Sequence, residues 1–401
     1  MPVRDDLIIN GTTGNDTLTG DTIDSGSYDT LNGLAGNDVL NSLLGNDKLN
    51  GGLGDDVLNG GGGSDTMTGG DGSDIYYVDN IGDVVTETNV LASTGGTDLV
   101  NSYLSAYTLG ANVEIGRILA TGAATLSGNT LNNVIYAGNG VNNLDGLGGT
   151  DTLSYQFATT TGLSGVTLNL SVLNGSGQST AIGISGADLI KGIENIIGSN
   201  YNDTITGNAG NNVLNGLLGA DKLIGGLGND SLNGGLGTDK LIGGKGQDNL
   251  TGGAGRDTFT FAAGDNGITA ATLDKILDYA KGAVGTGDFI DYSANLTKGG
   301  NANIATASQA SINQSRGIAT FASGSGTTIV DALNDITARF TAAADTAGEF
   351  ACFKINNTGN YYLFVSDGTA GAGVNDDVIQ LVGITSISAI DLTGGNLTIT
   401  S

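Results

Sequence analysis

Aspartate returns every nine residues near the start of the chain, at Asp29, Asp38, Asp47, Asp56, Asp65 and Asp74. Asp16 stands in a similar block, four residues out of step. A second run follows at Asp203, Asp221, Asp230, Asp239, Asp248 and Asp257, with Asn212 filling one place. Among the 41 acids 37 are Asp and only four are Glu, against 14 Lys and Arg. Solvated surfaces use both acids, so Asp is selected here for geometry. Its short side chain holds the carboxylate close to the backbone, and carboxylate oxygens are ligands for a hard cation. An Asx turn accounts for an isolated Asp. It does not account for ladders of carboxylates, which repel one another unless a cation lies between them.

The acids sit in blocks. Residues 33–41 read GLAGNDVLN, 42–50 SLLGNDKLN, 51–59 GGLGDDVLN, 60–68 GGGGSDTMT and 69–77 GGDGSDIYY. Residues 198–260 repeat the pattern from GSNYNDTIT to GGAGRDTFT. Each block divides into a six-residue turn and a three-residue strand. Glycine at the first, second and fourth places supplies positive φ and close backbone approach, and Asn at the fifth tolerates the left-handed region. Strand residues alternate between faces, which turns inward Leu40, Leu49, Leu58 and Met67, then Leu214, Leu223, Leu232, Leu241 and Leu250. Tyr76 and Phe259 end the two series, and their larger rings are expected to cover the open end of each stack.

The blocks follow G-G-x-G-x-D-x-U-x, with U large and apolar, over residues 11–77 and 198–260. This resembles the RTX, or haemolysin-type, calcium-binding repeat. The resemblance implies an all-β fold, a right-handed parallel β-roll or β-solenoid with calcium-binding nonapeptide turns and two blocks per coil. Residues eighteen apart then stack, pairing Asp29 with Asp47, Asp38 with Asp56, Asp56 with Asp74, Asp203 with Asp221 and Asp239 with Asp257. Each pair would hold one Ca²⁺. Asn212 and the glycine-poor block around Asp29 weaken some sites, so about eight ions are expected.

The remainder divides by composition. Residues 1–80 are read as the first roll and 81–197 as an irregular solenoid bridge with few or no calcium sites. A faint echo of the repeat survives there at Asn133, Asn142 and Asp151. Arg117 breaks the apolar pattern of the bridge. Residues 198–300 are read as the second roll and its closing segment. Residues 301–401 are read as a small α+β domain, with a helix through Ile329, Leu333, Ile336 and Phe340 and strands around Phe353, Tyr362, Ile379 and Thr398. That stretch resembles the bluetail domain of cyanobacterial surface proteins, and its C-terminal place fits a type I secretion signal.

Composition narrows the function. The absence of His removes Ser-His-Asp catalysis and His-ligated metals. Two carboxylates suffice for a glycosidase, but no acid pair stands apart from the ladders, and an enzyme is not expected. A net charge of −27 repels nucleic acid and anionic membranes. No apolar run reaches the ~20 residues that span a bilayer, and the N-terminus has no apolar signal segment. The single Cys352 forms no intrachain disulfide. The expectation is a secreted or cell-surface protein whose rolls fold on meeting extracellular Ca²⁺. Its partners would be calcium, the type I secretion machinery, and a surface polysaccharide or another copy of the chain. A calcium-dependent adhesin or carbohydrate-binding module is the alternative.

Overall fold

In the computed structural model the described residues are 6–21, 28–88, 95–158, 165–183, 186–262, 273–280, 288–292, 297–298, 311–313, 318–320, 349–354, 361–365, 377–382, 384, 389–393 and 396–400. They form two compact units, one of residues 1–162 with 172–195 and the other of 163–171 with 196–401. Each is a parallel β-solenoid, and no helix occurs among the described residues. The helix expected near Ile329 lies outside them, as does the side-chain environment of Cys352.

In the first unit, each short strand pairs with the strand one coil later. One face carries Ile8–Asn10, Thr30–Ala35, Lys48–Leu53, Thr66–Asp71 and Val84–Thr86 in parallel. The opposite face runs Thr17–Thr19, Val39–Asn41, Val57–Asn59 and Ile75–Val78. It continues through Leu99–Ser102, Ile115–Ile118, Val134–Tyr136 and Thr152–Ser154. The middle residue of each nonapeptide strand points in. Leu31, Leu40, Leu49, Leu58, Met67 and Tyr76 are all fully buried, so identical positions stack into one apolar column. Tyr76 does not end that column: Val100 pairs with it in the next coil. The ring fits there because the following coils carry smaller inward residues, Val100 and then Gly116.

Arg117 occupies an outward position between Asn101 and Tyr136. Its guanidinium lies 4.4 Å from the centroid of the Phe157 ring, which in turn sits 5.1 Å from Tyr136. A cation over an aromatic face explains a charge in an otherwise apolar segment.

The second unit repeats the plan. Thr204–Thr206, Lys222–Leu227, Lys240–Lys245, Thr258–Phe261 and Phe289–Tyr292 stack on one face. Val213–Asn215, Ser231–Gly237, Asn249–Gly255 and Asp274–Ile276 stack on the other. Phe259 is likewise followed by Ile290 in register. Beyond this point antiparallel pairs join the parallel ones. Asp377–Leu381 joins Asp274–Ile276 in parallel, then takes Tyr361–Val365 and Glu349–Lys354 as antiparallel neighbours. Asn396–Thr400 runs antiparallel to Phe289–Tyr292.

Turn chemistry fixes the coil. Gly52 and Gly54 have φ of +120° and +113°, as the second and fourth places require. Where Leu replaces Gly at the second place, the conformation is kept at a cost: Leu34, Leu43, Leu147 and Leu217 have φ between +66° and +80°. The fifth place behaves differently from expectation, because no Asn there adopts positive φ among the described residues. Its side chain instead accepts the backbone N–H of the next coil, from Asn37 to Asn15, Asp55 to Asn37 and Ser73 to Asp55.

Candidate metal centre

The sixth-place acids form the inner ladder. Asp38 N–H donates to Asp56 Oδ1 at 2.7 Å, and Asp56 N–H donates to Asp74 Oδ1 at 2.8 Å. The other side of the coil repeats this from Asp29 to Asp47 and from Asp47 to Asp65. In the second unit the rungs join Asp203 to Asp221, Asp221 to Asp239, Asp239 to Asp257, Asn212 to Asp230 and Asp230 to Asp248. The expected pairs eighteen residues apart are therefore neighbours. The direction is uniform: each carboxylate takes the N–H of the coil before it. The fifth-place ladder runs the opposite way, so each turn is held from both sides.

One oxygen of each carboxylate is thereby committed. The other is not. Oδ2 of Asp38, Asp56, Asp65, Asp74, Asp221, Asp230, Asp239 and Asp257 is buried and accepts no hydrogen bond. These residues are at most 2% exposed. An orphaned buried carboxylate oxygen costs free energy unless a positive partner reaches it.

Space for that partner is defined by the first-place glycine. A Cβ on Gly234 would lie 2.5 Å from Asp239 Oδ2 and 2.6 Å from the Gly252 carbonyl oxygen of the next coil. The same two kinds of oxygen crowd the Cβ position of Gly33, Gly51, Gly216 and Gly225. A bare carboxylate oxygen and a carbonyl oxygen thus converge on a pocket kept open only by glycine. All-oxygen donors in a buried anionic cradle are the ligand set of a hard cation.

The thirteen acids singled out by spacing are not equivalent. Asp16 Oδ2 accepts the Thr12 N–H and hydroxyl, Asp29 Oδ2 accepts Asp21 N–H, and Asp203 Oδ2 accepts Ser199 N–H at 2.7 Å. In these three the second oxygen closes a turn within the protein. At Asp47 the cradle glycine is replaced by Ser42, whose hydroxyl donates to the Gly60 carbonyl at 2.9 Å. Asp248 keeps the register of its neighbours and passes its N–H to Asp274.

The ladder also extends beyond the nine-residue spacing. Asp65 N–H donates to Asp83, Asp74 to Asp98, Asn133 to Asp151, Asn142 to Asp188, Asp248 to Asp274 and Asp257 to Asp288. Sequence spacing misses most of these because coil length changes, to 24 residues before Asp98 and 31 before Asp288. The surviving signal is local: an acid two places before a buried apolar residue, as in Asp98 with Val100 and Asp288 with Ile290.

Burial is the main cause of the ladder's electrostatics. It pushes Asp56, Asp65, Asp221 and Asp230 up to about 7, and Asp74 and Asp257 up to about 6. The N–H from the preceding rung opposes the shift, and neighbouring carboxylates reinforce it. Where the first array ends, burial also pushes Glu87 up to about 7 and Asp98 up to about 8.

No curated protein matches the chain. The four-copy family model of the RTX calcium-binding nonapeptide repeat matches residues 8–22, 23–49, 43–76, 120–153, 197–232 and 233–268. The orphaned carboxylates and their glycine cradles fall inside those stretches, and the chain therefore carries RTX calcium-binding repeats wound as parallel β-solenoid.

Proposed function

We propose that the glycine cradles hold Ca²⁺ and that the protein is a secreted or cell-surface structural element whose rolls fold when calcium arrives. The carrying observation is the register of buried Oδ2 atoms, of which those of Asp38, Asp56, Asp221, Asp230 and Asp239 face a carbonyl oxygen across a glycine that leaves room for an ion. The ligands would be Asp38, Asp56, Asp65, Asp74, Asp221, Asp230, Asp239, Asp248 and Asp257. Asp16, Asp29 and Asp203 would serve as turn caps, and Asp47 as a site restricted by Ser42.

The energetics support a switch. Extracellular calcium modules bind at about 10⁻⁴–10⁻³ M. Calcium at tenfold its Kd stabilises by about 1.4 kcal/mol per site when the unfolded chain does not bind. About eight such sites would sum to ~11 kcal/mol, similar to a domain's whole stability of ~5–15 kcal/mol. Glycine-rich turns lose much entropy on ordering, and a net charge of −27 opposes compaction. A calcium-poor cytosol would then keep the chain unfolded for export, with residues 301–401 as the signal read by a type I secretion machinery. The role is non-catalytic. The roll would act as matrix, or as a flank that binds a surface polysaccharide or another copy.

The test is a calcium titration of chelator-stripped protein followed by far-UV circular dichroism, with magnesium as control. A cooperative gain of β signal with calcium alone is expected. A fully folded spectrum in chelator that calcium leaves unchanged would overturn the switch.

A further inference from the structure

The ladder that runs through Asp74 leaves the first array differently from those that run into Asp83 and Asp288. Gly33, Gly51 and Gly69 follow one another at the first place of successive coils, and the residue that continues the series is Glu87. Its side chain enters the last cradle. A Cβ on Gly69 would meet Asp74 Oδ2 and the Tyr76 hydroxyl, where earlier cradles present a glycine carbonyl. Tyr76 donates its hydroxyl to Glu87 Oε1. Asp98 arrives from the next coil, with Oδ1 on the Asp74 N–H at 2.8 Å. Carboxylate oxygens of Asp74, Glu87 and Asp98 lie within 4.8 Å of one another.

Two of those oxygens, Asp74 Oδ2 and Glu87 Oε2, are buried without a hydrogen bond. Asp74 is fully buried and Glu87 is 7% exposed. The ends at Asp83 and Asp288 have no such deficit. Asp83 Oδ2 accepts the N–H groups of Asp79 and Asn80. Asp288 accepts Asp257 N–H on Oδ1 and Ala280 N–H on Oδ2 at 2.7 Å. Those ends are closed by protein donors. Three converging carboxylates with two bare oxygens call for a cation.

We propose that Asp74, Glu87 and Asp98, with the Tyr76 hydroxyl, form a separate cation site that seals the first array through side chains instead of a glycine turn. The donors are all hard oxygens, so the class is a calcium-like ion. Glu87 and Asp98 lie outside the residues matched by the repeat family. The proposal rests on the cation reading of the ladder only through Asp74. Its ligand count of three acids distinguishes it from the cradles, and it would bind a trivalent lanthanide more tightly than they do.

Terbium tests this on the full-length chain, because Tb³⁺ emission is sensitised by a tyrosine close to the ion. Equilibrium dialysis gives the number of ions bound, and emission excited through tyrosine reports the site beside Tyr76. Glu87→Gln is expected to bind one ion fewer and to lose the tightest sensitised component. Tyr76→Phe, which preserves core volume, is expected to dim that component several-fold without emptying the cradles. Asp230→Asn should lower the ion count and leave the Tyr76-dependent emission intact. If Glu87→Gln binds as many ions as the parent, or Tyr76→Phe emits as strongly, the site does not exist and the three acids share protons instead. Should the parent bind a single Tb³⁺ that Glu87→Gln abolishes, the ladder reading fails and this site stands.

Discussion

Coils 33–77 and coils 120–153 belong to the same unit and match the same repeat family, yet they close their turns by opposite means. In the first stretch the inward side chain is Asp, and the second oxygen of Asp38 and Asp56 is left bare beside a carbonyl. In the second it is Asn at positions 133 and 142, while Asp151 keeps the carboxylate and the Gly146 cradle. The Asn133 amide nitrogen donates to the carbonyls of Val113 at 3.0 Å and Glu114 at 3.2 Å, while its oxygen accepts Asn129 N–H. Asn142 donates to the carbonyls of Gly138 and Gly140, at 3.1 and 3.3 Å. Across Gly128 the Asn133 oxygen still faces the Gly146 carbonyl, as the Asp oxygens do, but it carries no charge and accepts Asn129 N–H. At Asn133 the side chain thus satisfies its polar atoms within the protein, where Asp38 and Asp56 leave one oxygen without a donor. A match to the repeat family therefore covers turns with two different inward chemistries.

The comparison breaks most visibly under chelation. Hydrogen exchange in EDTA should show Val57–Asn59 and Ser231–Asn233 losing protection almost entirely, whereas Val134–Tyr136 and Asn143–Asp145 should retain most of theirs. Equal loss in both regions would mean that the amide rungs do not hold their coils alone.

Next in size is Gly234→Ala. The added methyl would sit 2.5 Å from Asp239 Oδ2, and overpacking of this kind costs about 1–3 kcal/mol. Calorimetry should show one ion fewer and a lower unfolding temperature in calcium. Asn133→Asp should act in the reverse sense. Without calcium it loses the amide donors and is destabilised by about 1–3 kcal/mol, and with calcium it should recover most of that loss and bind one more ion.

Acid supplies a third comparison. The cation-free fold holds Asp56, Asp65, Asp221 and Asp230 up at about 7, against ~3.9 for an unfolded Asp. Folded carboxylates therefore keep protons that the unfolded chain releases. That stabilisation is fully present below about pH 4 and is lost as pH rises through about 7. Urea denaturation in EDTA should give a higher midpoint at pH 5 than at pH 8. With calcium the order should invert, because the metal needs the ionised form. The smallest effect expected is for Ser42→Gly, which reopens the cradle of Asp47 and should add one ion with a gain of ~1 kcal/mol or less at moderate calcium.

The strand positions, the buried column and the stacking of the ladder were legible in the sequence because a strict period forces identical residues into identical environments. Where the period failed, so did the reading. Asp98 and Asp288 close ladders from coils of irregular length, and no spacing rule reaches them. Asn at the fifth place looked like a left-handed turn residue, but its role is that of an acceptor for the neighbouring coil. That Asp16, Asp29 and Asp203 have a hydrogen-bonded Oδ2 while their neighbours do not depends on local donors such as Thr12 and Ser199. Those donors mean nothing until the turn is folded. Glu87 was invisible for a related reason: it matters as the successor of Gly69, one coil away.

The one-way polarity of the inner ladder has a consequence for damage. Every rung leans on the coil that follows, so the array behaves as a chain of nearest-neighbour couplings. Removing the acid at an end trims such a chain by one link. Removing Asp56 from its middle leaves two short fragments, each with a new frayed terminus and too few neighbours to hold it. Where a lesion falls along the array therefore weighs as heavily as what it replaces.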